Sequence, residues 1–393
     1  MPLQDLSAAA FPPFLTRQVT TPCYLISSEA VHRNCQVLAS VRQATGVKIL
    51  LALKAFALPA AFPLIRQYLD GVCASGPIEA QLGREDFGGE VHTYAPAYSD
   101  WQMARVIAFS DHILFNSLSQ WRRHRPAIAQ AMASGRRIEI GLRVNPGYSE
   151  VATPLYNPCR PGSRFGLLPA EMRDADLSGI SGLHFHALCQ QGADVLARVL
   201  AHFEEKFSPY IDKMQWVNFG GGHHISRADY DVELLCRTIQ EFRARHNHIQ
   251  VYLEPGEAVV LNAGVFVTSV LDVIERQPPV AILDSSAETH LPDVLAMPYR
   301  PHIIGAGEPG KLPYTYHLGG ISCLAGDVFG DYSFARPLAL GDRLVMTDMA
   351  LYSFVKNTTF NGVELPEIYL TDESGRPQSV RRFTFNDYRG RIA

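Results

Sequence analysis

Four stretches of this sequence carry residues whose types suit chemistry. Lys54 closes the apolar run in "LLALKAF" (50–56). A lysine there loses hydration and rotamer freedom unless its amine reaches water or forms a bond. His184 and His186 alternate in "GLHFHAL", Gly220, Gly221 and Gly222 stand in a row in "NFGGG", and Glu254 precedes Pro255 and Gly256 in "LEPGEA". A glycine run makes either a plain tight turn or a cradle of inward-turned N–H groups, which holds an anion, most often phosphate.

These residues meet only if the fold brings them together. Short apolar, β-rich runs recur at 48–56, 71–75, 90–97, 112–117, 137–145, 182–188, 215–222 and 249–256. Most are followed by a helix-like stretch, such as 59–69, 77–85 or 229–246. Runs that are apolar at nearly every position suit parallel strands covered on both faces. Eight of them alternating with helices predict an α/β chain with a (β/α)8 TIM barrel. Function in such barrels collects at the C-terminal ends of strands, and phosphate often binds near strands seven and eight. Lys54 then ends strand one, His184 and His186 strand six, the glycines strand seven, and Glu254 with Gly256 strand eight. A lysine and a phosphate cradle over one mouth suggest pyridoxal phosphate, held as a Schiff base on Lys54. His186 has the flat ring to stack on it. Glu254 has the acid to keep the cofactor's ring nitrogen protonated.

After about residue 264 the texture changes to strands joined by turns, which predicts a C-terminal antiparallel β-barrel or sandwich domain. The expected domains are residues 1–22, a segment joining the β domain; 23–264, the cofactor-binding barrel; and 265–393, the β domain. The long proline- and glycine-rich loop 146–169 is of the kind that is often functional.

Composition excludes other classes. A net charge of −4 and the absence of a lysine/arginine-rich run argue against nucleic acid or an anionic membrane as partner. No window approaches 18 apolar residues, and the start "MPLQDLSAAAFPPFL" makes a poor signal peptide. Seven scattered cysteines without Cys-x-x-Cys spacing argue against a zinc site or disulfide framework and for a reducing cytoplasm.

"LALKAF", "CASG", "LRVNPG", "SRFG", "GLHFHAL", "NFGGG", "LEPGEA", "GGISCLAGD" and "ALYSF" together resemble the fold-type III pyridoxal-phosphate decarboxylases, the group of ornithine and diaminopimelate decarboxylases and, more distantly, alanine racemase. "NPGYSEVATPLYNPCRPGSRFG", "LDSSAETHLPDVLAMPYRP" and "GGISCLAGDVFGDY" are similar to its carboxynorspermidine-decarboxylating branch, and the resemblance runs from about residue 20 to residue 393. It implies that Lys54 binds the cofactor aldehyde, that Gly220, Gly221, Gly222 and Gly256 hold the phosphate with a donor from Tyr352, that Glu254 faces the ring nitrogen, that His186 stacks, and that Arg143 sits at the cofactor edge. Cys189 stands where ornithine decarboxylase has a phosphate-binding serine, and a thiol donates more weakly. Cys323 resembles the acid that returns a proton to the α-carbon, from a loop reaching across a homodimer interface, with Asp327 facing substrate. The other reading of Cys323 is a small buried hydrophobe.

Ornithine and diaminopimelate decarboxylases have arginine after "EPG", whereas this chain has Glu257. Glu257 is therefore expected to face a cationic substrate, with Asp293 as a second carboxylate along a polyamine. Asp293 is otherwise a helix N-terminal residue. The expected activity is that of a carboxy-lyase in polyamine biosynthesis: decarboxylation of carboxynorspermidine or carboxyspermidine to norspermidine or spermidine, in the cytoplasm, with no metal. Diaminopimelate decarboxylation would want a cation where Glu257 stands. A non-catalytic cofactor carrier would lack the β domain, and a racemase would have tyrosine in place of "SCLAGD".

Overall fold

The computed structural model describes residues 11–247 and 249–393. They fall into two compact units: one runs from Arg33 to Val259, and the other joins the chain up to His32 with Val260–Ala393. Of the expected 1–22 segment, residues 1–10 lie outside the described residues.

In the first unit eight parallel strands close into a barrel: β2 (Lys48–Ala52), β3 (Gly71–Ala74), β4 (Glu90–Tyr94), β5 (His112–Phe115), β6 (Glu139–Arg143), β7 (Gly182–His184), β8 (Trp216–Asn218) and β9 (Gln250–Leu253). Their residues are nearly all buried, as strands flanked on both faces must be. The barrel is filled by side chains. Leu50, Leu114, Trp216 and Tyr252 form one interior cluster, with Cys73 and Tyr94 against it. Register places Gly141 opposite Gly182 and Gly182 opposite Trp216. A Cβ on Gly141 or Gly182 would meet the indole at 2.4 or 2.1 Å, so these two glycines make room for the ring.

β1 (Cys23–Ile26) corrects the expected boundary at 22/23. It is not a barrel strand; it pairs antiparallel with β10 (Gly264–Ile274) and parallel with β15 (Glu367–Thr371) in the second unit. That sheet runs β13 (Val328–Phe334), β12 (Tyr314–Gly319), β11 (Val280–Leu283), β10, β1, β15, β16 (Pro377–Arg381), and β14 (Arg343–Thr347) also pairs with β10. It is mixed rather than antiparallel: β11 and β12 are parallel as well. Parallel neighbours need crossovers of a dozen residues or more. The whole barrel sequence separates β1 from β15, and residues 284–313 separate β11 from β12.

Two buried barrel histidines give the fold an acid limit. Burial, then the charge of His224, lowers His223 to about 4; burial, then His92, lowers His112 to about 2. Both are neutral when folded and titrate near 6.5 when unfolded. Their stabilisation is complete above pH 6.5 and is lost as pH falls towards the folded values, each by about 1.4 kcal/mol per pH unit. Thermal melts should therefore shift down between pH 6.5 and pH 4.5. His223→Gln should flatten that slope by one proton; a melting temperature constant over this range would contradict the assignment.

Candidate active site

Register builds the barrel mouth. Arg143 ends β6 opposite His184, which ends β7, and His184 lies opposite Asn218, which ends β8. In-register neighbours of a parallel sheet point to one side, so these three polar side chains share the C-terminal rim. Glu254 follows β9 by one residue, and Lys54 follows β2 by two.

Glu254 accepts from Asn218 Nδ2 at 2.8 Å and lies 3.3 Å from His184 Nε2. Burial alone would push its carboxyl up. His184 and His92 oppose this, as does the Asn218 hydrogen bond, and they bring it to about 2. His184 has its own pKa lowered by burial, opposed by the Glu254 carboxylate, to which it donates through Nε2. An ionised carboxylate fixed by two donors can keep a proton on a basic ring nitrogen placed against it.

His186 is half-buried, and its Nδ1 accepts from the Gly221 N–H at 3.0 Å. Burial, then the positive charges of Lys54 and Arg143, hold its pKa well below the usual value. It is a neutral flat ring, fit to cover a cofactor face. Arg143 donates to the His186 carbonyl at 3.3 Å, and its guanidinium lies 4.6 Å from the Tyr94 ring and 4.4 Å from that of Phe165. Phe165, from the long 146–169 loop, gives that loop a place at the mouth. The loop is anchored by Asn116, whose Oδ1 accepts from Gly166 N at 2.7 Å.

Lys54 takes the first of its two expected settings, an amine that reaches water. Leu53, Ala55 and Phe56 are buried, but Lys54 itself is exposed, and its amine makes no hydrogen bond or ion pair among the described residues. It reaches the open mouth, and its charge is felt by both His186 and Cys189.

The glycines are required sterically. Gly220 and Gly222 have φ of +68° and +89°. A Cβ on Gly221 would lie 2.0 Å from the Glu254 carbonyl, one on Gly222 2.0 Å from that of Leu188, and one on Gly256 2.5 Å from Ala55 Cβ. As a cradle the run is incomplete, because the Gly220 N–H already donates to Asn218 Oδ1 at 2.8 Å and the Gly221 N–H to His186.

Three acids behave differently from expectation. Glu257 is engaged: Oε2 lies 2.5 Å from His224 Nε2, and Oε1 accepts from Gln190 Nε2 at 3.1 Å. Each of its oxygens therefore has a partner within the barrel unit. Asp293 heads the short helix Asp293–Ala296 and binds Lys356 Nζ at 2.7 and 3.0 Å. Asp327 is 4% exposed and accepts from the backbone N–H groups of Ala287, Glu288 and Ser322 at 2.7, 3.2 and 3.0 Å. These three bonds fix the shape of its own loop. Cys323 on that loop is exposed, which overturns the buried-hydrophobe alternative, and its N–H donates to Asn361 Oδ1 at 2.7 Å. Tyr352 opens the turn Ser353–Val355, with its ring 5.3 Å from Lys356 Nζ. These second-unit residues are described within that unit alone.

Glu90, His92 and His112 have metal-ligand chemistry; Glu90 and His112 start β4 and β5, and His92 lies at the middle of β4. The two imidazoles are stacked, centroids 3.7 Å apart and 11° from parallel. Lys48 already binds Glu90, so the carboxylate has a cation beside it.

An exposed lysine amine, a neutral ring, an ionised acid and a glycine turn that admits no Cβ fit pyridoxal phosphate. Residues 23–350 match the family described as "Pyridoxal-dependent decarboxylase, C-terminal sheet domain". The chain is 42% identical over 382 residues to a carboxynorspermidine/carboxyspermidine decarboxylase of Campylobacter jejuni, covering 94% of this chain and 98% of that one. It is 41% identical over 373 residues to a carboxyaminopropylagmatine decarboxylase of Synechocystis, covering 95% of each. The crystal structure of carboxynorspermidine decarboxylase from Campylobacter jejuni, complexed with norspermidine, superposes with a TM-score of 0.87 at 40% identity, over 95% of this chain and 100% of that chain. With its barrel, its mixed sheet and a lysine at the barrel rim, the chain belongs to the pyridoxal-dependent decarboxylase family, whose cofactor is pyridoxal phosphate.

Proposed function

We propose that the chain removes the α-carboxylate of carboxynorspermidine and carboxyspermidine to give norspermidine and spermidine, in the cytoplasm and as a homodimer. The observation that carries this reading is 42% identity to the Campylobacter enzyme along 98% of that protein's length. When bound, pyridoxal phosphate supplies the electron sink for the carbanion left by departing carbon dioxide. The chain does the rest. Lys54 would hold the cofactor through its amine and would release it to the substrate amine. Glu254, kept ionised by Asn218 and His184, retains the proton on the ring nitrogen. His186 covers one ring face, and Arg143 fixes the His186 backbone through its carbonyl. Cys323, exposed on its loop, returns the proton to the α-carbon, reaching the partner chain's site.

The Synechocystis relative supports a second reading, in which the distal group is a guanidinium. Carbon dioxide release from carboxynorspermidine, carboxyspermidine, carboxyaminopropylagmatine and diaminopimelate separates them. The first two should show kcat/KM at least about tenfold above the others, one step of 1.4 kcal/mol. A preference for the agmatine derivative would select the second reading. Turnover of diaminopimelate alone would overturn both.

A further inference from the structure

The mouth holds one more buried pair. His224 stands two residues beyond the glycine run, 8% exposed, with Nε2 at 2.5 Å from Glu257 Oε2. The two side chains are 11% and 12% exposed. Gln190, which donates to the other oxygen of Glu257, is held at φ +57°, a region that costs a non-glycine residue energy. Segments following β7, β8 and β9 thus converge on one carboxylate. With both oxygens engaged, that carboxylate aims an imidazole.

An anion at the glycine turn meets few donors: of the run, only the Gly222 N–H has no acceptor among the described residues. The Gly220 and Gly221 N–H groups are already donated to side chains. Arg143 is held between two aromatic rings, and Lys54 is committed to the cofactor's aldehyde. His224 Nδ1, the nitrogen turned away from Glu257, makes no hydrogen bond among the described residues.

On the reading of this mouth as a cofactor site, we propose that His224, oriented by Glu257, is the cationic donor to the cofactor's phosphate monoester. Glu257 is then a positioning residue, and the acid that replaces arginine in "EPGEA" brings its own counter-cation. An imidazolium between a carboxylate and a phosphate makes charge-assisted hydrogen bonds on both sides.

The test is equilibrium binding to the full-length apoprotein of two probes that differ only in the phosphate, pyridoxal phosphate and pyridoxal. The wild type should prefer pyridoxal phosphate. His224→Ala should weaken it by about tenfold to a hundredfold, the worth of a hydrogen bond to a charged group, while pyridoxal affinity stays within about twofold. Glu257→Gln should lower the same ratio by a smaller factor. Far-UV circular dichroism identifies the folded variants, and His224→Asn serves if the alanine variant does not fold. If the two probes weaken equally, or neither weakens, the proposal fails. A wild type that binds neither probe, or shows no preference, instead overturns the reading of the mouth as a cofactor site.

Discussion

Lys54→Ala should lower decarboxylation by at least about four orders of magnitude, the scale seen when a covalent catalytic group is removed. The visible absorbance of bound cofactor should vanish with it. The expectation rests on position. Lys54 follows β2 by two residues, between buried neighbours, yet its amine is exposed at the mouth and has no partner among the described residues. Truncating an exposed side chain leaves the barrel core untouched, so the melting temperature of the apoprotein should move by only a few tenths of a kcal/mol in equivalent stability. A variant that loses activity by unfolding would show up in that melt. One that stays folded and keeps its turnover would mean that another amine binds the cofactor.

Glu254→Gln should lower kcat by about a hundredfold to a thousandfold while KM changes little, the scale of removing one aimed electrostatic partner from a water-poor site. Glutamine preserves volume and still accepts from Asn218, but it gives up the negative charge that His184 and Asn218 hold in place. Burial opposes ionisation, but His184, His92 and Asn218 hold the wild-type carboxyl well below the usual carboxylate range, so it is charged at neutral pH. An equal fall in kcat and rise in KM would mean that Glu254 binds substrate instead. A comparable fall in the Asn218→Ala variant would show that the asparagine, with no charge of its own, acts through the carboxylate it orients.

The barrel was legible because strands buried on both faces read as unbroken apolar runs, and a polar residue at the end of such a run stands out. That rule marks Lys54, His186 and Glu254, each of which follows a barrel strand by one or two residues. Asn218 carries the same signal, closing "WVN" just before the glycines. The same rule misplaced "CYLI", whose four residues are all buried. Its neighbours, Gly264–Val267 and Glu367–Leu370, lie more than 230 residues away, and no local pattern distinguishes such a strand from a barrel strand. Acids were the least legible. Glu257, Asp293 and Asp327 read alike as free carboxylates. Their partners, His224, Lys356 and the N–H groups of 287, 288 and 322, are set by tertiary folding across as many as 63 residues. Tyr94 and Phe165, which flank Arg143, are likewise brought together from distant parts of the chain.

The whole account depends on a covalent link between cofactor and one side chain. Holoenzyme treated with borohydride, digested and analysed by mass spectrometry should carry a pyridoxyl phosphate adduct on the peptide containing Lys54 and on no other. An adduct on a different lysine, or none on a protein that still decarboxylates, would contradict it.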